Sequence, residues 1–430
     1  MSSSITEYVM AHPLFDHHDH TESFRQFDET RKALNEASLE GYALADLRSA
    51  AGRGPAPGET LEALPEGAHR EKLWAGIRNT GYGRATEYTC RELFGLPYDP
   101  ENWGEIAEKV QALAAEKTNP ELYEYCFREK ANIKWVMQDG LFRIETSPDA
   151  EWEGLYPEFF RYAFRFDELF YIRDREPIQR FERVLNCSIH TLDQLVDALN
   201  VAISRYQETG RMSVFKNGMA YNRTLKIDKA SRYDAEKVFS RIVGGEGIAL
   251  DSPIVSDDLS LGDYLVHAYI QRADDEDIPV QIHTGYLAGN WKPLAHTSVV
   301  HLVPVFRQYP RSRFDIFHAS WPYTSELGCI AKEFPNVYPD LCWMWAMNPA
   351  HAERALYEWL DGVPYNKIFG FGADTGLPFN VIGYAQQARM GISRVLERKV
   401  NEGLFSDQLA QEIASAIMLK NGEEFYKLAT

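Results

Sequence analysis

Four short apolar runs in this chain each end in a histidine or an aspartate, and that recurrence restricts the folds open to it. The runs are Pro13-Leu-Phe-Asp-His-His-Asp-His20, Ile278-Pro-Val-Gln-Ile-His283, Phe314-Asp-Ile-Phe-His318 and Lys367-Ile-Phe-Gly-Phe-Gly-Ala-Asp374. The last three are followed by small or turn-forming residues, Thr284-Gly285, Ala319-Ser320 and Thr375-Gly376. Apolar strands that repeatedly deliver polar residues at their C-terminal ends suit a parallel barrel, whose site lies at the C-terminal mouth of its strands. Within the first run His18 and His20 sit two residues apart, so a strand projects both imidazoles from one face toward a single ion. The candidate site set is His18, His20, His283, His318 and Asp374.

The rest of the chain is expected to supply the remaining barrel units. Strands are predicted over Leu14–His20, Ile133–Met137, Glu168–Ile172, Ser213–Lys216, Ile278–His283, Phe314–His318, Val337–Cys342 and Lys367–Phe371, the eight that a closed (β/α)8 TIM barrel needs. Between them, helices are predicted over Thr191–Glu208, Leu259–Ala273, Ser298–Tyr309, Thr324–Glu333 and Ala350–Leu360. Residues 21–130 contain no strand-like run, and read as a helical insertion after the first strand. There Arg31–Ala50 and Trp103–Lys117 have helix-forming composition, a further helix opens at Asn119-Pro120, and Ala51-Gly-Arg-Gly-Pro-Ala-Pro-Gly58 forms a loop. The tail Asn401–Thr430 is expected to pack as helix on the barrel exterior. We read the whole chain, residues 1–430, as one α/β domain.

Composition narrows the ligand class. A formal net charge of -18 argues against nucleic acid and anionic membranes as partners and leaves small molecules. The 5 cysteines lack CxxC spacing, which fits neither a disulfide framework nor a zinc ribbon. With no basic, apolar leader at Met1-Ser-Ser-Ser-Ile-Thr-Glu-Tyr, and no apolar stretch of membrane-spanning length, a soluble cytoplasmic protein is expected.

Histidine nitrogens combined with a carboxylate oxygen suit Zn²⁺ first, with Mn²⁺ or Fe²⁺ as alternatives. On a regular strand His17 and Asp19 face the surrounding helices. Asp16 shares the parity of His18 and His20 one layer deeper, and Asp16 and Asp19 are assigned supporting roles, such as orienting an imidazole. Lys216 ends the run Met212-Ser-Val-Phe-Lys216 and has three readings: an ammonium for a substrate carboxylate, a buried salt-bridge partner, or a carboxylated bridge between two metals. Tyr221 and Arg223 are candidate anion binders, and Trp321, Tyr323, Trp343 and Trp345 candidate pocket walls. Asp340, within an apolar run, needs a buried partner.

These residues, in this order, resemble the amidohydrolase superfamily, and in particular its branch of metal-dependent TIM-barrel hydrolases related to the uronate isomerases. The segments that carry the resemblance are Phe15-Asp-His-His-Asp-His20, Val214-Phe-Lys-Asn-Gly-Met-Ala-Tyr-Asn-Arg223, Val280-Gln-Ile-His-Thr-Gly-Tyr286, Phe317-His-Ala-Ser-Trp-Pro-Tyr323, Phe334-Pro-Asn-Val-Tyr-Pro-Asp340 and Phe369-Gly-Phe-Gly-Ala-Asp374. The resemblance implies that His18, His20 and Asp374 bind a metal, that His283 joins them or contacts substrate, and that His318 is a ligand or an electrophilic contact. We expect Asp374 to act as the catalytic acid–base, with His318 or His283 polarising the carbonyl oxygen, and with Lys216, Tyr221, Arg223 and Trp321 on the substrate. The motif around Lys216 looks more like the single-metal branch, which leaves metal count open. The implied reaction is hydrolysis of an amide, ester or lactone. Decarboxylation and sugar-acid isomerisation on the same metal are the alternatives, and a non-catalytic metal scaffold is a third reading. The aromatic-rich insertion makes a homo-oligomer a further expectation.

Overall fold

In a computed structural model of the chain, residues 4–60, 63–143, 146–147, 154–246 and 258–428 are described. Seven parallel strands run in sequence order: β1 Leu14–Asp19, β2 Ile133–Arg143, β3 Phe160–Arg165, β4 Met212–Asn217, β5 Val280–Ile282, β6 Phe314–Ile316 and β7 Val337–Pro339. An eighth run closes the ring. Phe369 bridges Asp340 beyond β7, while the His17 amide donates to the Phe371 carbonyl and the Asp374 amide to that of His18. The fold is an α/β TIM barrel.

Several strand expectations need correcting. Glu168–Ile172 lies in a 3₁₀ segment, Asp167–Tyr171, and the third strand is the preceding Phe160-Arg-Tyr-Ala-Phe-Arg165. Arg161 and Arg165 make that run look solvated, whereas Leu169 and Phe170 are buried anchors after the strand. The ladders of β5, β6 and β7 also stop before His283, His318 and Cys342, because the backbone leaves the sheet at the mouth.

Every regular element among the insertion's described residues is helical, from Phe24–Thr30 to a π-helical turn at Glu124–Lys130, with the described residues between Ala50 and Arg70 in a loop. Arg31–Ala50 is not one helix. Asn35 caps a separate short turn, Glu36–Leu39, and Gly41 takes φ 55° beside the Tyr384 hydroxyl, so a new helix starts at Ala43.

The tail departs furthest from expectation. Instead of lying on the exterior, Phe425 and Tyr426 cluster with inward-facing Phe15, Met137, Ala163, Val214 and Phe369, and so plug the N-terminal end of the barrel. Residues 429–430 lie outside the described part. No helix among the described residues is long and apolar enough to cross a membrane.

Candidate metal centre

The first strand is not regular where its histidines begin. Asp16 pairs with Val136 and Asp19 with Gln138, so three steps along β1 oppose two along β2. This one-residue bulge resets the alternation. Phe15 and His17 face the barrel interior, which corrects the expectation that His17 looks outward, and beyond the bulge His18 and His20 reach the mouth. The carboxylates between them tie strands together rather than orienting imidazoles. Asp16 Oδ1 accepts from the Ala373 amide at 2.8 Å, and Asp19 accepts from the Thr21 amide at 2.6 Å and the Thr375 hydroxyl at 2.8 Å.

At the mouth, His18, His20 and Asp374 each present a donor atom within 4.8 Å of the other two. His20 Nε2 is 3.2 Å from Asp374 Oδ1 and 3.2 Å from His18 Nε2. On the far side His318 Nε2 is 3.5 Å from Asp374 Oδ2 and 3.1 Å from His283 Nδ1. Carbonyls fix the tautomers. His20 Nδ1 meets the Asp139 carbonyl at 2.6 Å, His283 Nε2 that of Tyr286 at 2.8 Å and His318 Nδ1 that of Cys342 at 3.1 Å. A carbonyl only accepts, so each of these nitrogens carries the proton and the other points its lone pair into the site. Two such lone pairs face each other across 3.1 Å at His283 and His318, an arrangement that a shared cation relieves.

Electrostatics agree with that fit. Burial, reinforced by the Lys216 charge, pushes the His18 and His318 imidazoles well below their ordinary range, while His283 is lowered by burial, His318 and Lys216. Neutral imidazoles are the form that binds metal. Burial pushes the Asp374 carboxyl up against the pull of His20 and Lys216. Asp139 is also driven up by burial, but Arg165 at 2.8 Å, with His20 and Lys216, holds it at about 2. The donor set fits a divalent ion.

The other expected site residues separate. Lys216 is buried at the mouth, its Nζ 3.9 Å from the Phe317 ring centroid and without a hydrogen-bond partner, and burial lowers its pKa. Tyr221 packs edge-on against His283 at 4.7 Å and accepts from the Ala288 amide. Trp321 stacks obliquely on Tyr286 at 5.3 Å, on the rim. Arg223 does not belong to the site. Its guanidinium is fully buried, 2.5 Å from Asp263, and donates to the carbonyls of Phe170, Thr224 and Lys226, which leaves no free edge for a substrate.

Sequence reasoning passed over Asp139 and Arg165, although Ile133-Lys-Trp-Val-Met-Gln-Asp139 and Phe160-Arg-Tyr-Ala-Phe-Arg165 obey the same rule of runs ending in a charge. It also missed Tyr42 and Tyr82, which the insertion sends over the mouth against Trp343, at 5.0 and 6.4 Å. Trp343 in turn meets His318 at 5.2 Å. Left-handed backbone concentrates here: His318, Ala319, Ser320, Trp343 and Asp374 all have φ between 51° and 64°. Non-glycine residues adopt that region at a cost, and such strain gathers at functional sites.

Residues 240–428 match the family model described as amidohydrolase. Protein fluG of Emericella nidulans is 28% identical over 223 residues, which cover 50% of this chain and 25% of that protein. The chain thus spans about a quarter of that relative's length. Among solved structures, the uronate isomerase of Thermotoga maritima superposes with a TM-score of 0.75 at 13% identity, covering 98% of this chain and 96% of that one. The glucuronate isomerase of Caulobacter crescentus gives 0.74 at 17%, covering 99% and 93%. Residues 240–428 thus carry the amidohydrolase family pattern, and nearly the whole chain shares its fold with the uronate isomerases.

Proposed function

We propose that this chain is a metal-dependent hydrolase that cleaves an amide, ester or lactone of a small, carboxylate-bearing substrate. His18, His20 and Asp374 would hold the ion, with His283 a further donor, and Zn²⁺ is the best match to their nitrogens and oxygen. The observation that carries the reading is the placement of Asp374, one oxygen 3.2 Å from His20 and the other 3.5 Å from His318. It stands between the ligand pair and a second imidazole pair, where a substrate carbonyl would lie.

A divalent ion in such a site supplies Lewis acidity and activates water near neutral pH. Asp374 takes the proton of the attacking water and delivers it to the leaving group, a transfer suited to a carboxyl raised by burial. His283 and His318 turn lone pairs into the site, so both would serve as donors to the ion, which would supply the polarisation of the carbonyl oxygen. Lys216, with no hydrogen-bond partner, offers an ammonium at the mouth for a substrate carboxylate, whereas Arg165 is taken up by Asp139 and Asp167. Tyr42, Tyr82, Tyr286 and Trp343 roof the mouth and exclude bulk water.

A second reading, sugar-acid isomerisation, draws on the superposition with two uronate isomerases across nearly the whole chain, insertion included. Mass spectrometry separates the two. Protein reloaded with Zn²⁺ is incubated with N-acyl amino acids, lactones and uronates, and products are weighed. A gain of one water supports hydrolysis. Conversion at unchanged mass overturns it in favour of isomerisation, and loss of CO₂ overturns both.

A further inference from the structure

A second group of donors faces the barrel axis below the mouth. His17 projects inward just before the β1 bulge, Asp315 is in register with Gln281 and Tyr338 on the neighbouring strands, and Asp340 lies where β7 meets the closing run. One donor atom from each of His17, Asp315 and Asp340 lies within 4.8 Å of the other two, and all three residues are 0% exposed. Each carboxylate has one satisfied oxygen, Asp340 Oδ1 accepting from the Cys342 amide at 2.7 Å and Asp315 Oδ2 from Tyr426 and Gln281, but other polar atoms are left over. Both ring nitrogens of His17 have no hydrogen-bond partner, Oδ1 of Asp315 and Oδ2 of Asp340 meet no donor from the rest of the chain although the two carboxyls lie close enough to share a proton, and the His17 Nδ1 to Asp340 Oδ2 separation is 3.7 Å. Buried carboxylates left this way are costly unless a cation or proton neutralises them.

The cluster is tied from beneath to the tail. The Tyr426 hydroxyl donates to Asp315 Oδ2 at 2.5 Å and accepts from Gln281 Nε2 at 2.8 Å. Gln281 also donates to the His17 carbonyl at 2.8 Å, and its own Oε1 is unpartnered.

We propose that His17, Asp315 and Asp340 form a second, structural site for a first-row divalent ion in the barrel core, separate from the mouth. One imidazole and two carboxylates match the ligand preferences of Zn²⁺ and Mn²⁺. Enclosure on all sides leaves no route for substrate, so the ion's role is to cross-link β1, β6 and β7 and, through Tyr426, the tail. In the metal-free chain burial pushes the Asp315 carboxyl up to about 7 and Asp340 well up as well, so the pair retains a proton that the ion displaces.

The test is metal stoichiometry of the full chain, expressed in Zn²⁺-supplemented medium so that the enclosed site fills during folding, purified without chelator and counted by elemental mass spectrometry. Wild type should hold two ions per chain, and Asp315→Asn and Asp340→Asn one each, with a lower thermal midpoint. One ion in the wild type overturns the proposal. So does a wild-type count of two that falls in Lys216→Met but not in Asp340→Asn, which places both ions at the mouth. His20→Ala reports on the mouth site alone, so the two assignments stand or fall separately.

Discussion

Phe425→Ala should unfold this protein far more easily than a substitution in a surface tail would. The ring is 4% exposed and packs against Tyr338, Phe369 and Tyr426, with centroids at 4.6, 5.0 and 4.9 Å. Truncating a buried Phe to Ala costs ~3–5 kcal/mol, which includes the cavity left behind. The upper part of that range applies here, because three aromatic pairs are lost together, each worth ~0.5–1.5 kcal/mol beyond its buried area. Against a typical total of ~5–15 kcal/mol, a loss of about 4 kcal/mol is a large fraction. Urea unfolding followed by circular dichroism measures it, with slope m of ~3 kcal/mol per molar placing the midpoint lower by about 1 M. Tyr426→Phe is the companion, losing ~1.5–3 kcal/mol for a hydrogen bond to a carboxylate. A loss under ~1 kcal/mol in Phe425→Ala, with Tyr426→Phe unchanged, would refute the plug and return the tail to the barrel exterior.

Asp374→Asn should lower turnover by at least ~10²-fold, the scale of general acid–base catalysis, while circular dichroism stays native; near-normal rates in a chain of unchanged metal content would remove Asp374 from the chemistry. Arg223→Ala should cost ~3–5 kcal/mol in stability, because it strands buried Asp263; a raised KM in a chain of unchanged stability would restore Arg223 to the substrate. Arg165→Met should alter the acid limb of the stability curve. Asp139 is depressed from 3.8 to about 2 in the folded chain, so its contribution, about 2 kcal/mol, is present above pH ~4 and lost as pH falls toward ~2. The variant should lose that increment at neutral pH and show a flatter acid limb; parallel wild-type and variant curves would exclude the pairing.

The residues that meet at the mouth were legible because a barrel places polar groups at strand ends, and the rule of apolar runs ending in a polar residue picks out His283, His318 and Asp374 without any contact information. Arg165 obeys the same rule, and its run escapes notice for a physical reason. The side chains of Arg161 and Arg165 make β3 look like a solvated segment, and only the pairing of Ala163 with Val214 shows it to be central. His17 was misassigned because alternation assumes a regular strand, and a bulge leaves no trace in composition. Arg223 resembled an anion binder by residue type alone, whereas its role depends on Asp263, 40 residues away in sequence. The tail's inward turn depends on the shape of the barrel's open end, which no local pattern encodes.

Closure of the ring has a consequence for how the protein is made. Six ladders join strands that follow one another in the chain, so the sheet can zip up in order as it is synthesised. The last seam is different: the Ala373 amide meets Asp16 across 357 residues, and until it forms, β1 and β7 present open edges that invite aggregation. Asp374 lies on that closing segment, opposite His18 and His20. A nascent or partly opened chain therefore holds the two histidines without their aspartate, and uptake of an ion at the mouth becomes a signature of the final folding step.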